Sequence, residues 1–579
     1  MHLISNFFIL AGVIITPFFY AQSPADLNES SVLFSSPIDI PMLLSGNYGE
    51  IRTARFHTGI DIKTDQVEGK NILAARDGYV YRIAVGSGGY GKAIYLRHPD
   101  GQVTVYAHMQ QFAPVIDEYV KQEQYRKKSF EVDITPSPEQ FVFQRGEFLG
   151  FSGNTGNSAA PHLHFEIRDA SSVPLNALEY ELDIKDETRP LINWLAVYPL
   201  DQQSTVNGIH EKLLIPVSDN GGNPYLKTND LRVSGRIGLG IETYDFLDNS
   251  RNKCSPNTIS MTMDERQVFF CRIDSIPFSM AAYVNSHIDY EEKIRTGKNI
   301  QKLFVDPNNK LSIYKLAVNR GILTVKDTLK HVVGIKVTDT YGNEATLSFT
   351  FQGSNKGSPP VASAADPTLV GRFRYDTLNL YENHDIRIVI PRDGLFDHLD
   401  FHYEKTQNDS CPWSLLHQVH NNYTPLAKPY ILSIRCSDLP SRLQDKAVIA
   451  SPGKNGAWIS QGGTYKNGYV TTRVNSFGKF FIAVDTINPM ITPVAFKAGD
   501  KYTFGQVLSF TIADAQSGIR KYNGYVDDTW TLFEYDAKND LLFYTLDDSR
   551  LIKNKTHSIT IMVSDNKDNI SVYNADFFY

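Results

Sequence analysis

Along Pro161–Arg168 polar and apolar side chains alternate. His162, His164 and Glu166 fall on one side; Leu163, Phe165 and Ile167 fall on the other. A period of two is the mark of a strand whose apolar face rests on a core. Similar runs recur through the first third of the chain. Asp77-Gly78 separates Ile72–Ala75 from Tyr79–Val85, and Ala93–Leu96 follows the glycine-rich turn Gly86–Gly91. Asp100-Gly101 predicts a hairpin into Val103–Ala107. Residues 117–143 break the pattern with many charges, including Arg126-Lys127-Lys128, and with Pro136 and Pro138. They predict an insertion, either a solvated loop or a lid over the β-core.

After about residue 185 short alternating strands are separated by Asp, Asn and Gly turns. His331–Asn343 and His557–Asn569 echo each other, with His, Asp and Asn at the same offsets, and each is followed by another alternating strand. That is how the last hairpin of a β-sandwich reads. The Asp/Asn turns could hold Ca²⁺ or be plain Asx turns, the more frequent case. His331 and His557 are expected at strand starts, not as ligands. Gly353–Ala365 is rich in Gly, Ser, Pro and Ala and reads as a linker, and Asp485–Pro489 as a boundary. The expected organisation is all-β: a signal segment 1–21, a first unit 22–185, a sandwich module 186–353, a linker 354–369, a sandwich-like module 370–485 and a last module 486–579. The modules resemble immunoglobulin- or fibronectin-like sandwiches by pattern alone.

Composition narrows the class. The 579 residues exceed what one core supports. A net charge of −7 offers no basic field for nucleic acid. Phe7–Tyr20 is mostly apolar, no charged residue precedes Asp26, and Ala21-Gln22 is a plausible cut, so export to the periplasm or cell surface is expected. That run is too short for a comfortable membrane span, and no later segment supplies one. Four cysteines in an exported chain permit Cys254–Cys271 and Cys411–Cys436 disulfides, with free buried thiols as the equal alternative.

The chemistry lies in the first third. In Phe56-His57-Thr58-Gly59-Ile60-Asp61-Ile62, His57 and Asp61 share a side whether the segment is extended or helical, and Gly59 argues against helix. His108 closes the strand Val105-Tyr106-Ala107. Phe56-His57-x-x-x-Asp61, Tyr106-Ala107-His108, Gly153-Asn154-Thr155-Gly156 and Pro161-His162-Leu163-His164-Phe165-Glu166, in that order, resemble the lysostaphin/LytM-type zinc metalloendopeptidases over residues 45–180. The resemblance implies one Zn²⁺ on His57, Asp61 and His164, with His108 and His162 as the catalytic pair. It implies peptidoglycan peptides as substrate and leaves room for an envelope protein partner on the C-terminal modules. Two imidazoles and a carboxylate suit zinc with a fourth position open. Glu166 is either a support for a ligand or an outward ion-pairing residue. His98, before Pro99-Asp100, reads as a turn histidine. The competing readings are a non-catalytic wall binder that activates another hydrolase, which would be expected to lack zinc ligands, and a protease or adhesion protein acting on non-wall substrates.

Overall fold

The computed structural model describes residues 34–228, 230–355, 366–407, 412–436 and 438–579. The expected signal segment and residues 356–365 of the linker lie outside them. Strands dominate, and the longest helix among the described residues is Pro114–Lys127. None of their helices is long and apolar enough to cross a membrane.

The first unit is built on one antiparallel sheet. In spatial order it runs Leu44–Gly46, Ile60–Lys63, His162–Arg168, Val103–Ala107, Lys92–Arg97, Gly78–Val85 and Val132–Ile134. A smaller sheet of Asn71–Leu73, Phe148–Phe151 and Gln111–Phe112 supplies Ile72, Phe112 and Leu149 to the same core as Ile60, Leu163 and Phe165. Complete burial of side chains such as Leu163 and Phe165 contributes about 1.5–3 kcal/mol each. The Asp100-Gly101 hairpin forms as its residues predict. Gly101 has φ +88°, which a β-carbon resists, and Asp100 Oδ1 accepts the Gln102 N–H at 3.0 Å.

Residues 117–143 are neither a solvated loop nor a lid. The helix Pro114–Lys127 buries Ile116, Val120 and Gln124, and its N1 proline suits a helix start. Val132–Ile134 and Val142–Phe143 both pair with Gly78–Val85, at the far edge of the sheet from His164. The apolar positions Ile116, Val120, Phe130, Val132 and Ile134 join the core, which a purely charge-based reading of the segment overlooks.

The thirteen-residue strand Arg232–Tyr244 pairs with Leu191–Pro199 and, at its start, with Glu344–Gly353. Twelve strands thus form one array around a core that includes Leu195, Ile241, Ile259, Ile335 and Leu347. Farther on, sheets of six and five strands enclose Ile388, Phe401, Leu432 and Phe480. Two four-stranded sheets enclose Phe510, Phe533 and Ile561 at the C-terminus. This last unit folds back onto the first: Lys121 Nζ meets Asp547 at 2.5 Å, Lys92 meets Glu534 at 2.8 Å, and Tyr125 meets Trp530 edge-on.

The echoed hairpins are realised by equivalent contacts. His331 Nδ1 lies 2.7 Å from Asp264, and His557 Nδ1 lies 2.8 Å from Asp527, each at a strand start. The Cys254–Cys271 disulfide is not formed. Cys254 sits in the core of the first unit and Cys271 on the inner face of the second, so different cores hold them apart. Burial pushes both thiols up to about 12. Cys436 is also free, and Cys411 lies outside the described residues.

Candidate metal centre

Sheet register makes the site. Asp61 and His164 are direct partners across antiparallel strands, and Ala107 pairs with His164 on its other side. His57 precedes the strand Ile60–Lys63 and is held by its own N–H on Glu50 O. Gly59 lets the strands close: a β-carbon there would lie 2.3 Å from Phe165 O and 3.1 Å from His164 Cε1. His108 ends its strand with φ +60°, a left-handed conformation uncommon outside glycine and frequent at functional sites. It is fixed by its N–H on Tyr90 O at 2.9 Å. The Gly153–Gly156 loop supports it, with His108 Nδ1–H donated to Thr155 O at 2.8 Å.

Hydrogen-bond partners assign the tautomers. His57 donates Nδ1–H to Asn47 O at 2.7 Å, which leaves Nε2 with its lone pair. His164 Nε2–H points to Glu166 Oε1 at 2.9 Å, which leaves Nδ1. These two nitrogens lie 3.0 Å apart, and Asp61 Oδ1 lies 3.1 Å from His57 Nε2 and 2.8 Å from His164 Nδ1. Neighbouring donors around tetrahedral zinc stand about 3.3 Å apart, as bond lengths of about 2.0–2.1 Å require. Three electron pairs facing one another repel unless a cation lies among them, so the donor set fits a divalent metal.

The electrostatics agree. Burial opposes charge on His164, but hydrogen bonds to Asp61 and Glu166 prevail and hold a proton on it up to about 9. Burial pushes His57 down, with Asp61 only partly offsetting it. A single positive charge is thus wanted at this point, and in the metal-free protein a proton supplies it. Asp61 is held well below the usual carboxylate range: its burial is outweighed by His57, His162 and His164.

His162 and His108 lie alongside, with ring centroids 4.8 Å apart. His162 Nε2 is 3.4 Å from Asp61 Oδ1, and its Nδ1–H is donated to Ala160 O at 2.8 Å. Burial, then His164 and His162, push His108 down to about 3, so it is a neutral base at ordinary pH. The four histidines and one aspartate singled out from the sequence therefore converge on one cleft of about 950 Å³. His98 does not join them; it is buried against Asp77 O and Thr104 near its turn.

Residues 55–125 match the family model described as Peptidase family M23. The N-terminal unit is an M23, LytM-type peptidase domain. Residues 371–485 match a model described as a Zu5-like domain. The DD-carboxypeptidase/endopeptidase Mpg of Neisseria meningitidis serogroup B is 33% identical over 139 residues, 24% of this chain and 26% of its own. An uncharacterized metalloprotease of Haemophilus influenzae is 35% identical over 112 residues, 19% of this chain and 18% of its own. The chain thus spans about a quarter of the length of Mpg and less of the second relative. The catalytic domain of lysostaphin from Staphylococcus simulans aligns with 23% of this chain and 88% of its own at 22% identity, with a TM-score of 0.18.

Around the M23 centre stand residues that the motifs did not single out. Arg52 grips Asp61 Oδ2 at 2.5 Å and so leaves Oδ1 for the histidines. Glu166 faces inward, fully buried, and accepts from His164, Thr58 and Tyr90 through Oε1 and from Arg168 through Oε2. The alternation of Pro161–Arg168 predicted its side of the strand. Nothing local in the sequence marks Tyr90 as a partner of Glu166 or Asn47 as a partner of His57. The cleft also has a wall from the second unit, Ile276–Phe278 and Ala281.

Proposed function

We propose that this chain is an exported zinc metalloendopeptidase that hydrolyses peptide bonds in bacterial peptidoglycan, in a stem peptide or a cross-bridge. The carrying observation is the convergence of His57 Nε2, His164 Nδ1 and Asp61 Oδ1, with His108 and His162 beside them. His57, Asp61 and His164 would hold Zn²⁺. Bound there, zinc polarises the scissile carbonyl and lowers the pKa of a water from about 16 toward about 7. The protein's own groups do the rest. His108 and His162 accept the water proton at Nε2, donate a hydrogen bond to the carbonyl oxygen as it gains charge, and pass the proton to the leaving amine. Glu166 and Asn47 keep the ligand imidazoles in one tautomer. Mpg is named as both a DD-carboxypeptidase and an endopeptidase, which favours wall peptides as the first substrates. The apolar run Phe7–Tyr20 supports export. The modules after the M23 domain position the enzyme or dock an envelope protein.

The test is zinc content together with release of new amino groups from purified peptidoglycan, with the products identified by mass. Wild type is expected to carry one zinc and to cut, and His164→Ala to do neither. Wild type that holds no zinc and leaves the wall intact would instead be a non-catalytic binder. Cleavage of glycine-rich proteins but not of peptidoglycan would reject the wall substrate.

A further inference from the structure

We infer that the chain holds two calcium ions away from the M23 centre, one among Asp186, Asp245 and Asp339 and one among Asp485, Asp514 and Asp565. In each trio the carboxylate oxygens lie within 4.8 Å of one another. The two trios occupy equivalent places. Asp339 and Asp565 head the echoed turns, and Asn343 and Asn569 close them. Asn343 Nδ2 donates to Asp186 O at 2.9 Å, as Asn569 Nδ2 does to Asp485 O at 3.2 Å. Asp186 and Asp485 each begin an Asp-x-x-x-Pro segment, Asp186–Pro190 and Asp485–Pro489. Asp245 and Asp514 each follow a strand, Arg232–Tyr244 and Val507–Ala513.

Asx turns occupy some oxygens of both trios but not all of them: Asp186 Oδ1 accepts from Thr188 N, Asp485 Oδ1 from Ile487 N, and Asp514 Oδ2 from Gln516 N and Gly518 N. The oxygens of Asp339 accept from Tyr341 N, Asn343 N and Asn343 Nδ2, and those of Asp565 accept in the same way from Lys567 and Asn569. No such donor reaches Asp186 Oδ2 or Asp245 Oδ1. Both atoms are buried without a partner, in residues 7% and 2% exposed. At the second place Asp514 Oδ1 is orphaned too, as is Gln516 Oε1 two residues on. Lys446 and Lys567 stand near the second trio, yet their ammonium groups bond Asn569 Oδ1 and the carbonyls of Lys567 and Gly463. Burial, then the neighbouring carboxylates, push Asp245 up to about 7, and burial with Asp339 and Asp248 does the same to Asp186. Buried carboxylates without counter-charge are costly. An all-oxygen set of carboxylates and carbonyls is the donor chemistry of calcium, whereas zinc prefers nitrogen and sulfur.

The first ion would sit where the M23 domain meets the next unit. Asp245 pairs its backbone with Cys254, and Leu247 and Cys254 pack in the M23 core. Ser255 clamps the Asn47 side chain through its N–H and C=O, at 2.8 and 2.7 Å, and Asn47 O in turn holds His57. Calcium there braces the loop that positions a zinc ligand. The second ion would brace the junction between the Zu5-like domain and the last unit.

The test is equilibrium dialysis of the full chain, stripped of divalent ions, against labelled calcium up to about 10 mM, beyond the weak range of extracellular sites. Wild type is expected to bind two ions. Asp339→Asn and Asp565→Asn should each bind one, and the double variant none. Retention of one ion in each single variant shows that the chain still folds. Wild type that binds fewer than two ions, or single variants that both keep two, would overturn the inference. Calcium should also raise the melting temperature of wild type and leave that of the double variant unchanged.

Discussion

Asp61 and His164 face each other across adjacent antiparallel strands, with Asp61 Oδ1 2.8 Å from His164 Nδ1. A carboxylate and an imidazole in direct register share a ligand position by backbone geometry, before any side chain chooses a rotamer. The other oxygen of Asp61 belongs to Arg52. Arg52→Ala should therefore weaken zinc binding by about 10–100-fold, the usual effect of removing a partner that orients a ligand. Competition with a zinc-sensitive dye measures it. An unchanged affinity would show that the Arg52–Asp61 pair does not orient the ligand.

His108 and His162 act on protons, not on the ion. His108→Ala and His162→Ala are expected to keep one zinc per chain and to lower kcat by about 10²–10⁴-fold. Zinc content and turnover measured on the same preparations separate this outcome from loss of metal. Variants without zinc would make these residues ligands.

Gly59 marks a close approach of two strands. Its substitution by alanine places a β-carbon 2.3 Å from the Phe165 carbonyl oxygen, which belongs to the backbone and cannot swing away. Gly59→Ala should cost about 1–3 kcal/mol of stability and spread Asp61 from His164. Denaturant unfolding and zinc content should fall together; a variant with wild-type values for both would mean that the strands adjust freely.

The Lys121–Asp547 pair ties the helix Pro114–Lys127 to the last unit. Burial opposes charge on Asp547, but Lys121 and the Ser549 N–H prevail and hold its carboxyl down to about 2. A depressed acid contributes stability that is present above its unfolded value, about 3.9, and is lost as pH falls through about 2. Docking of the last unit should thus persist at pH 5 and loosen between about pH 4 and 2. Lys121→Met should weaken this pH dependence, leaving only the part due to Ser549. Fluorescence of Trp530, which lies edge-on to Tyr125, reports it.

Local pattern alone determined the strands of the first third and the Asp100-Gly101 hairpin, and the order of the motifs, through their resemblance to the LytM-type peptidases, singled out the five side chains of the cleft. A period of two assigns faces, a Gly in a left-handed turn assigns reversals, and both are properties of neighbours in the chain. The echo of His331–Asn343 in His557–Asn569 was legible for the same reason. Tertiary structure alone decided the rest. Tyr90 joins the site from a turn distant in sequence, and Arg52 and Asn47 reach it from the residues just before His57, so no motif spacing announces them. The charged face of residues 117–143 concealed Val120, which packing buried in a helix at the sheet edge. Cys254 and Cys271 are close in sequence, yet separate hydrophobic cores hold them apart. Sequence states which groups the chain offers. Register and burial decide which of them meet, because the cost of an unmatched charge or dipole is set only once water has been excluded.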